Sequence, residues 1–248
     1  MERGRPSISV IIPVFNGAAF LAEAVASIRC QEIPAGEIII VDDGSIDESA
    51  AVAAGLGKGI RYVYQPNRGP HAAQNTGLAL ARGDVIAFLD ADDLWPVDKL
   101  SVQLTLLQAD PQPAVALGFL QYIRLRETPS GKGEYLPFLE PFFGANCFGA
   151  ALFRREAFAK VGPLNGSMTY GGDVDWFLRA REQGLAIAAV DRVTLFYRLH
   201  PGNLTRHKTR RDHFLLLALK QSLDRRRSAD GAVADLGELP RPRPGGRN

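Results

Sequence analysis

Residues 84–93 read DVIAFLDADD, an apolar run that ends in three closely spaced acids. A short buried run of this kind predicts a β-strand, here over 84–90. The acids are Asp90, Asp92 and Asp93. Two carboxylates about 4 Å apart repel each other by roughly 4 kcal/mol at an effective dielectric constant near 20. The three acids therefore either form a solvated polar turn or surround a positive ion.

Three more apolar runs precede this strand, and helical patterns alternate with the runs. The predicted strands cover 8–14, 37–43 and 60–65, and the predicted helices cover 17–30, 70–82 and 97–109. Ser45 and Glu48 have the spacing of a capping box, which predicts a further helix start after the second strand. Strands that alternate with helices predict an α/β fold with a mostly parallel sheet flanked by helices.

The second half of the chain has a less regular pattern. We expect a long strand over 114–127, a loop rich in aromatic residues and prolines over 134–147, and a short helix over 155–161. A longer helix is predicted in GGDVDWFLRAREQG (171–184), and LAIAAV (185–190) and VTLFYRLH (193–200) are predicted to be two separate strands.

The C-terminal part predicts an extension beyond the main domain. Residues 206–227 are helical in pattern and carry eight lysines and arginines against two aspartates. Residues 228–248 are predicted to be disordered because proline, glycine and charged residues dominate them. The predicted organisation is a domain over 1–205, a basic amphipathic helix over 206–227 and a tail over 228–248.

Composition indicates a soluble globular protein. Hydrophobic residues make up 46% of the 248 residues and charged residues 23%. The two cysteines, Cys30 and Cys147, predict free thiols in a reducing compartment. No run approaches the roughly 20 apolar residues of a membrane span. We therefore expect a cytoplasmic protein, peripheral at most at the inner face of the plasma membrane. The first 205 residues are net acidic, which is not the footprint of a nucleic-acid-binding protein.

Polar residues follow three of the predicted strands. The first strand ends in PVFN (13–16), the second in DDGS (42–45) and the fourth in DADD (90–93). Because the carboxyl ends of parallel strands meet at one sheet edge, where ligands bind, we expect these residues to converge. Mg²⁺ takes one or two carboxylates together with phosphate oxygens and waters. Two neighbouring acidic strand ends favour such a cation site over a solvated turn.

Four segments together resemble family 2 glycosyltransferases, which have the GT-A fold. The segments are ISVIIPVFNGAAFLAEAVASI (8–28), IIIVDDGSIDES (38–49), NRGPHAAQNTGLALARGDVIAFLDADD (67–93) and GGDVDWFLR (171–179). The resemblance implies inverting transfer of one sugar from a nucleotide diphosphate sugar, with a UDP-sugar favoured, to an acceptor hydroxyl. It also implies Mg²⁺ or Mn²⁺ as cofactor. The acceptor would be a glycan, a lipid-linked glycan or a small molecule, in cell-surface glycan or polysaccharide synthesis.

The resemblance also implies roles for individual residues. Asp92 would be the main metal ligand, with Asp90 and His200 beside it. Asp173 would be the general base, and Asp175 remains the alternative, although it can also pair with Arg179 one helical turn later. The residues around the nucleotide sugar would be Pro13, Val14, Phe15, Asn16, Asp42, Asp43, Gly69, Asn75, Asp90 and Ala91.

Two positions depart from the family pattern. Gln74 stands where an arginine is usual, so a contact with the phosphates at this position would lack a positive charge. Gly172 stands where a glutamate usually precedes the base, which affects the expected acceptor contacts. Trp95 and Trp176 are predicted to be packing residues in preference to sugar platforms.

Two other functions remain open. A sugar nucleotidyltransferase would carry a glycine-rich loop with a lysine or arginine after the first strand, where this chain has FNGAAF (15–20). A non-catalytic nucleotide-sugar or glycan-binding protein is the second alternative. The chain has neither Q-x-x-R-W nor membrane spans, which predicts non-processive transfer. The 206–227 helix either packs on the domain or lies on an anionic membrane surface.

Overall fold

The computed structural model describes residues 6–127, 133–144, 146–203, 208–228 and Leu236. The first half contains β1 (Ile8–Val14), α1 (Ala18–Arg29), β2 (Glu37–Asp42), α2 (Ser49–Gly55), β3 (Ile60–Tyr64), α3 (Pro70–Leu80), β4 (Val85–Phe88) and α4 (Lys99–Ala109). The second half contains β5 (Val115–Glu127), β6 (Gly133–Pro137), β7 (Phe142–Phe143), β8 (Ala151–Arg154), α5 (Arg155–Val161), α6 (Gly172–Glu182), β9 (Ile187–Arg198) and α7 (Lys208–Ser228).

One mixed sheet runs through the described residues in the order β3-β2-β1-β4-β8-β5-β6, with β7 and β9 also paired to β5. Strands β1 to β4 are parallel, which confirms the predicted α/β fold. Strand β8 is antiparallel to both of its neighbours, and β9 runs parallel to β5. Helices cover both faces, so every residue of β1 is buried. This burial explains why β1 is a continuous β-branched run without alternation.

The register of the parallel strands brings three polar strand ends to one edge of the sheet. Val14 pairs with Asp42, and Ile11 pairs with Phe88. The residues that follow β1, β2 and β4 therefore lie side by side at the carboxyl edge. This convergence was predicted from the parallel order, and it forms one wall of the cleft described below.

The capping box predicted at Ser45 and Glu48 is wrong. Helix α2 begins at Ser49, with Glu48 at its N-cap. The Ser45 hydroxyl instead accepts the Asn16 N–H (2.9 Å), and the Ser45 N–H donates to the Asp42 carboxylate (2.8 Å). The hydrogen bonds of Ser45 therefore connect the ends of β1 and β2, and its hydroxyl does not cap a helix.

Two predictions for the second half were also wrong. Residues 187–198 form one continuous strand, because β9 pairs with β5 across a register shift near Leu117 and Phe119. The segment predicted as a loop over 134–147 contains β6 and β7, which both pair with β5. In each case the thirteen-residue β5 supplies a hydrogen-bonding partner that local sequence does not reveal.

Helix α7 packs on α6 through a face that includes Ala218, with Leu217 and Gln221 beside it. Ala218 is fully buried beside Met168 and Leu178, and the other two side chains are half-buried. Ser228 was predicted to begin the disordered tail, but it is the last residue of α7. The rest of the predicted tail, apart from Leu236, lies outside the described residues. None of the described helices has the length and apolarity needed to span a membrane.

Candidate active site

The first wall of the cleft is the loop after β1. Pro13 and Val14 are buried within the strand, whereas Phe15 and Asn16 are exposed at its end. Asn16 has a left-handed backbone (φ 52°), and its side-chain oxygen accepts the Ile46 N–H at 2.9 Å. These bonds fix the loop against the DDGS turn and leave the Phe15 ring, 53% exposed, available to a ligand.

The two acids that end β2 organise the loops around them. Asp42 is buried and accepts the Tyr62 hydroxyl at 2.6 Å; burial and this carboxylate raise the pKa of Tyr62. Asp43 is also buried, and it accepts three donors from the loop before α3. The donors are the Gln65 amide (2.6 Å), the Arg68 N–H (2.9 Å) and the Gly69 N–H (2.8 Å). Asp43 therefore shapes the strand-to-helix loop at this edge.

Two of the predicted binding residues have structural contacts. Asn75 exchanges two hydrogen bonds with the Leu164 backbone, at 2.8 and 3.0 Å, and so ties α3 to the loop after α5. Ala91 is buried in the hydrophobic core between β1 and α1. Trp95 and Trp176 are also buried, as predicted, and each indole donates to a backbone carbonyl.

The acids of the DADD segment have different environments. Asp93 is 2% exposed and accepts the Arg198 N–H at 3.0 Å. Asp90 and Asp92 face solvent in the cleft, and the Asp92 side chain is 33% exposed. The Arg198 guanidinium donates to the Asp92 carbonyl at 2.5 Å and contacts Glu23. Asp93 and Arg198 thus hold the turn, and two carboxylates remain open.

His200 lies directly beside Asp92. Its Nε2 is 3.0 Å from Asp92 Oδ2, and the Asn203 amide reaches the same oxygen at 3.4 Å. The Gly202 N–H donates to His200 Nδ1 at 3.2 Å, so Nε2 carries the proton and donates to Asp92. The imidazole also packs against the Phe20 ring, with 4.4 Å between ring centroids.

Asp173 faces the same cleft from the first turn of α6. Its Oδ2 accepts the Phe148 N–H at 3.0 Å, and its side chain is 26% exposed. Burial raises its pKa, and the hydrogen bond from the Phe148 N–H opposes that increase. Asp175 is buried on another face of the helix, where Arg179 (2.9 Å) and Arg225 (3.2 Å) bind its two oxygens.

The carboxylates of the cleft influence one another. Asp90 is exposed on the cleft side, but the protein around its carboxyl group removes part of its water, and this effect, followed by the charges of Asp92 and Asp173, raises its pKa to about 8. Burial, followed by the charges of Asp92 and Asp90, raises the pKa of Asp93 as well, and the Arg198 N–H and guanidinium oppose that increase. Crowded carboxylates raise one another's pKa values because each negative charge disfavours ionisation of its neighbours.

These residues fit a hard divalent cation whose remaining ligands come from substrate and water. Among the described residues, no group of three or more histidine, cysteine, aspartate and glutamate side chains is arranged for a metal ion. Two open carboxylates at one strand end, Asp90 and Asp92, match the oxygen chemistry of Mg²⁺, which binds one or two carboxylates together with phosphates. His200 Nε2 would become a nitrogen ligand only if a cation replaced the proton that it now donates to Asp92 and if Nδ1 took up that proton in place of the Gly202 contact.

We expect Asp90→Asn to change the pH dependence of stability in EDTA. Asp90 loses its proton near pH 4 in the unfolded chain and near pH 8 in the folded chain, so its contribution to stability falls as pH rises between these values. The variant should therefore lose less stability than the parent between pH 5 and pH 8, as measured by melting temperature. Asp110→Asn, at an exposed site outside the cleft, is the control. Identical pH profiles for Asp90→Asn and the parent would contradict the prediction.

Sequence inspection missed several residues that shape this cleft. Arg198 and Asn203 hold Asp92 from the end of β9, and His71 contacts the start of α6. Asn203 had a local signal, because RLHPGN places it three residues after His200. The contacts of Arg198 and His71 cross 106 and 101 residues of sequence, so no local pattern reveals them.

Comparison with known proteins identifies the family of the chain. The family model described as glycosyl transferase family 2 matches residues 9–162. An uncharacterized glycosyltransferase of Rickettsia felis is 37% identical over 144 residues, which cover 57% of this chain and 23% of the relative. One of Haemophilus influenzae is 40% identical over 106 residues, or 41% of this chain and 42% of the relative. The chain thus spans less than half the length of these curated relatives.

Solved structures share the fold. S. aureus TarS 1-349 in complex with UDP-GlcNAc has a TM-score of 0.73 at 17% identity, over 90% of this chain and 67% of that one. The mannosyltransferase PcManGT from Pyrobaculum calidifontis, in complex with GDP-Man and Mn²⁺, has a TM-score of 0.68 at 22% identity, over 94% and 67%. At these sequence identities the comparison shows a shared fold and nothing further.

Proposed function

The chain belongs to glycosyl transferase family 2, and from this membership we propose that it transfers one sugar from a nucleotide diphosphate sugar to an acceptor hydroxyl. The reaction is inverting, depends on Mg²⁺ or Mn²⁺ and favours a UDP-sugar. The observation that carries the proposal is that two open carboxylates, Asp90 and Asp92, follow β4, with His200 Nε2 3.0 Å from Asp92, while the charge of Asp173 on α6 contributes to the raised pKa of Asp90. One cleft therefore combines a cation-binding pair with a separate carboxylate on a helix.

In this proposal each acid has a distinct task. Asp90 and Asp92, with His200, hold the cation, which when bound neutralises the charge of the diphosphate leaving group. Phe15 and Asn16 lie on the nucleoside side, where the exposed ring offers an apolar surface. Asp43 and Gly69 build the adjoining loop.

Asp173 accepts the proton of the attacking hydroxyl. A general base works best when its pKa lies near the working pH, and burial moves the pKa of Asp173 upward in that direction. The Phe148 N–H and the positive end of the α6 dipole hold the carboxylate in place. Asp175 is the weaker candidate because two arginines already bind its oxygens.

The observations disfavour the two alternatives. A sugar nucleotidyltransferase needs a basic residue in the loop after β1, and FNGAAF has none. A non-catalytic binder has no need for the Asp173 carboxylate, which pairs with no lysine or arginine among the described residues and is proposed to face the acceptor hydroxyl. The proposed setting is cell-surface glycan or polysaccharide synthesis in the cytoplasm, with a glycan, a lipid-linked glycan or a small molecule as acceptor and no nucleic-acid partner.

A screen of UDP-, GDP- and TDP-sugars tests the function. Each donor is added with Mn²⁺ or with EDTA, and both melting temperature and release of nucleoside diphosphate are recorded. A ligand at 100 times its dissociation constant adds about 2.7 kcal/mol to the free energy of unfolding. Stabilisation without release, at every acceptor tested, would indicate a binding protein. Release of pyrophosphate from a nucleoside triphosphate and a sugar phosphate would indicate a nucleotidyltransferase.

The outer face of α7 supports a peripheral membrane contact. Its leucine stripe, which we define as Leu215, Leu216, Leu219 and Leu223, is exposed, and Leu216 is 66% exposed. Lys220 and Arg227 are exposed beside the stripe. Apolar side chains flanked by basic residues suit the surface of an anionic bilayer, where a lipid-linked acceptor would be found. Leu217 and Ala218 lie on the other face of α7, which packs on the domain.

We therefore expect the full chain to float with phosphatidylglycerol vesicles at low salt. The double substitution Leu216→Ser and Leu219→Ser should weaken this binding at least tenfold, because each buried leucine contributes about 1.5–3 kcal/mol. Leu139→Ser, at an equally exposed site away from α7, is the matched control. Equal flotation of the parent, the double variant and a chain ending at Thr205 would exclude a contact through this helix.

A further inference from the structure

The two departures from the family pattern, Gln74 and Gly172, contact the same side chain. His71, on α3, is 7% exposed. Its Nδ1 is 2.9 Å from Gln74 Oε1, and its Nε2 is 3.2 Å from the Gly172 nitrogen. A Cβ atom at position 172 would lie 2.4 Å from the imidazole ring. The ring therefore occupies the space that any side chain at position 172 would need.

The hydrogen bonds determine the state of the imidazole. A backbone nitrogen can only donate, so His71 Nε2 accepts the Gly172 N–H. The oxygen of the Gln74 amide can only accept, so Nδ1 carries the proton. His71 is thus neutral, with a fixed tautomer. An arginine at position 74 has no acceptor, and it would leave the Nδ1 proton without this partner.

This bond serves the first turn of α6. Gly172 is the first residue of the helix, and its N–H is one of the four donors that have no partner inside a helix. The N-cap residue is Gly171, with a left-handed φ of 73°, and it has no side chain that could accept a bond. His71 reaches across from α3 and supplies the missing acceptor. The next residue along the helix is Asp173, and its Oδ1 is 3.9 Å from His71 Nδ1.

We propose that His71 is a positioning residue for the transfer reaction, because its neutral imidazole, oriented by Gln74, caps α6 at Gly172 and fixes the direction of the Asp173 carboxylate. The inference rests on the proposed function, in which Asp173 is the base. It accounts for both departures at once, since glutamine supplies the acceptor that orients His71 and glycine leaves room for the ring.

Three variants at position 71 test the role of His71. The readout is release of nucleoside diphosphate from the donor that the parent cleaves fastest with Mn²⁺. His71→Phe keeps the ring volume without the acceptor and should lower kcat about 10²-fold, the loss typical of a misplaced catalytic group, with the KM for donor unchanged. His71→Gln can place an acceptor near the Nε2 position and should recover most of the loss. His71→Asn, which retains a polar group only near the Nδ1 position, should not.

The comparison with Asp173→Asn separates this inference from the proposed function. If Asp173→Asn is inactive and His71→Phe has the parent's kcat, the positioning role is overturned and the base assignment stands. If Asp173→Asn has the parent's kcat, the base assignment and the positioning role fail together. If His71→Gln is as slow as His71→Phe while both melt with the parent, the Gly172 contact does not carry the effect and the inference is overturned.

A spectroscopic test needs no substrate. The chain has four histidines, so ¹⁵N-histidine labelling gives few signals, and the His71→Gln spectrum identifies the signals of His71. The inference predicts a protonated Nδ1 and an unprotonated Nε2 at pH 7.5. A protonated Nε2 would leave no acceptor for the Gly172 N–H and would overturn the inference even if no donor is cleaved.

Discussion

Replacing Asp173 with asparagine is expected to lower the rate of sugar transfer by about 10²–10⁴-fold, the usual contribution of a general base. The amide has the shape of the carboxylate and can still accept the Phe148 N–H, so the start of α6 should keep its geometry. It cannot accept the proton of the acceptor hydroxyl. Donor affinity should be retained, because Asp173 is not among the residues proposed to bind the cation or the nucleotide. The measurement is kcat and donor binding at saturating Mn²⁺.

Asp175→Asn is the matched control on the same helix turn. Asp175 is buried between Arg179 and Arg225, so removal of its charge should lower the melting temperature while turnover of the folded protein is retained. Near-normal turnover of Asp173→Asn combined with an inactive, folded Asp175→Asn would reverse the two roles.

The second large effect is expected at Asp92. Asp92→Ala should abolish the stabilisation that Mn²⁺ and UDP or GDP give together, about 2.7 kcal/mol for a ligand at 100 times its dissociation constant. The variant should stay folded, because Arg198 binds the Asp92 carbonyl, which alanine retains, and Asp93 holds the Arg198 N–H. The measurement is the melting temperature with each nucleotide, in Mn²⁺ and in EDTA.

Asp93→Asn provides the control within the same DADD segment. Its amide oxygen can still accept the Arg198 N–H, and its buried position gives it no access to a ligand. It should keep the parent's response to Mn²⁺ and nucleotide. If Asp92→Ala responds as the parent does while Asp93→Asn does not, the cation site has been assigned to the wrong carboxylate. If neither variant changes the response, the acids form only a turn.

The sequence predicted the parallel half of the fold because the necessary information is local there. Runs such as 10–14 and 85–89 are apolar throughout, since helices cover both faces of the strands, and this pattern is visible without a structure. The meeting of the three polar strand ends then followed from the parallel order alone. In this half, the bounds of the predicted strands and helices differed from the structure by at most two residues, as in α4, which begins at Lys99 and not near residue 97.

The remaining features depend on contacts between distant residues. Ser45 was misread as a helix cap because its partner, the Asn16 N–H, is 29 residues away. Residues 187–198 were divided into two strands because continuity comes from pairing with β5. The three acids of DADD look equivalent in sequence, and only Arg198, more than 100 residues later, separates the structural Asp93 from the open Asp90 and Asp92.

The most direct test of the central claim is a crystal structure of the protein with UDP or GDP and Mn²⁺, in which anomalous scattering locates the manganese. We expect one strong manganese peak beside the Asp92 carboxylate, with the diphosphate next to it, the base near Phe15 and Asp173 on the side of the donor sugar. A nucleotide bound elsewhere, or manganese away from Asp90 and Asp92, would contradict the central claim.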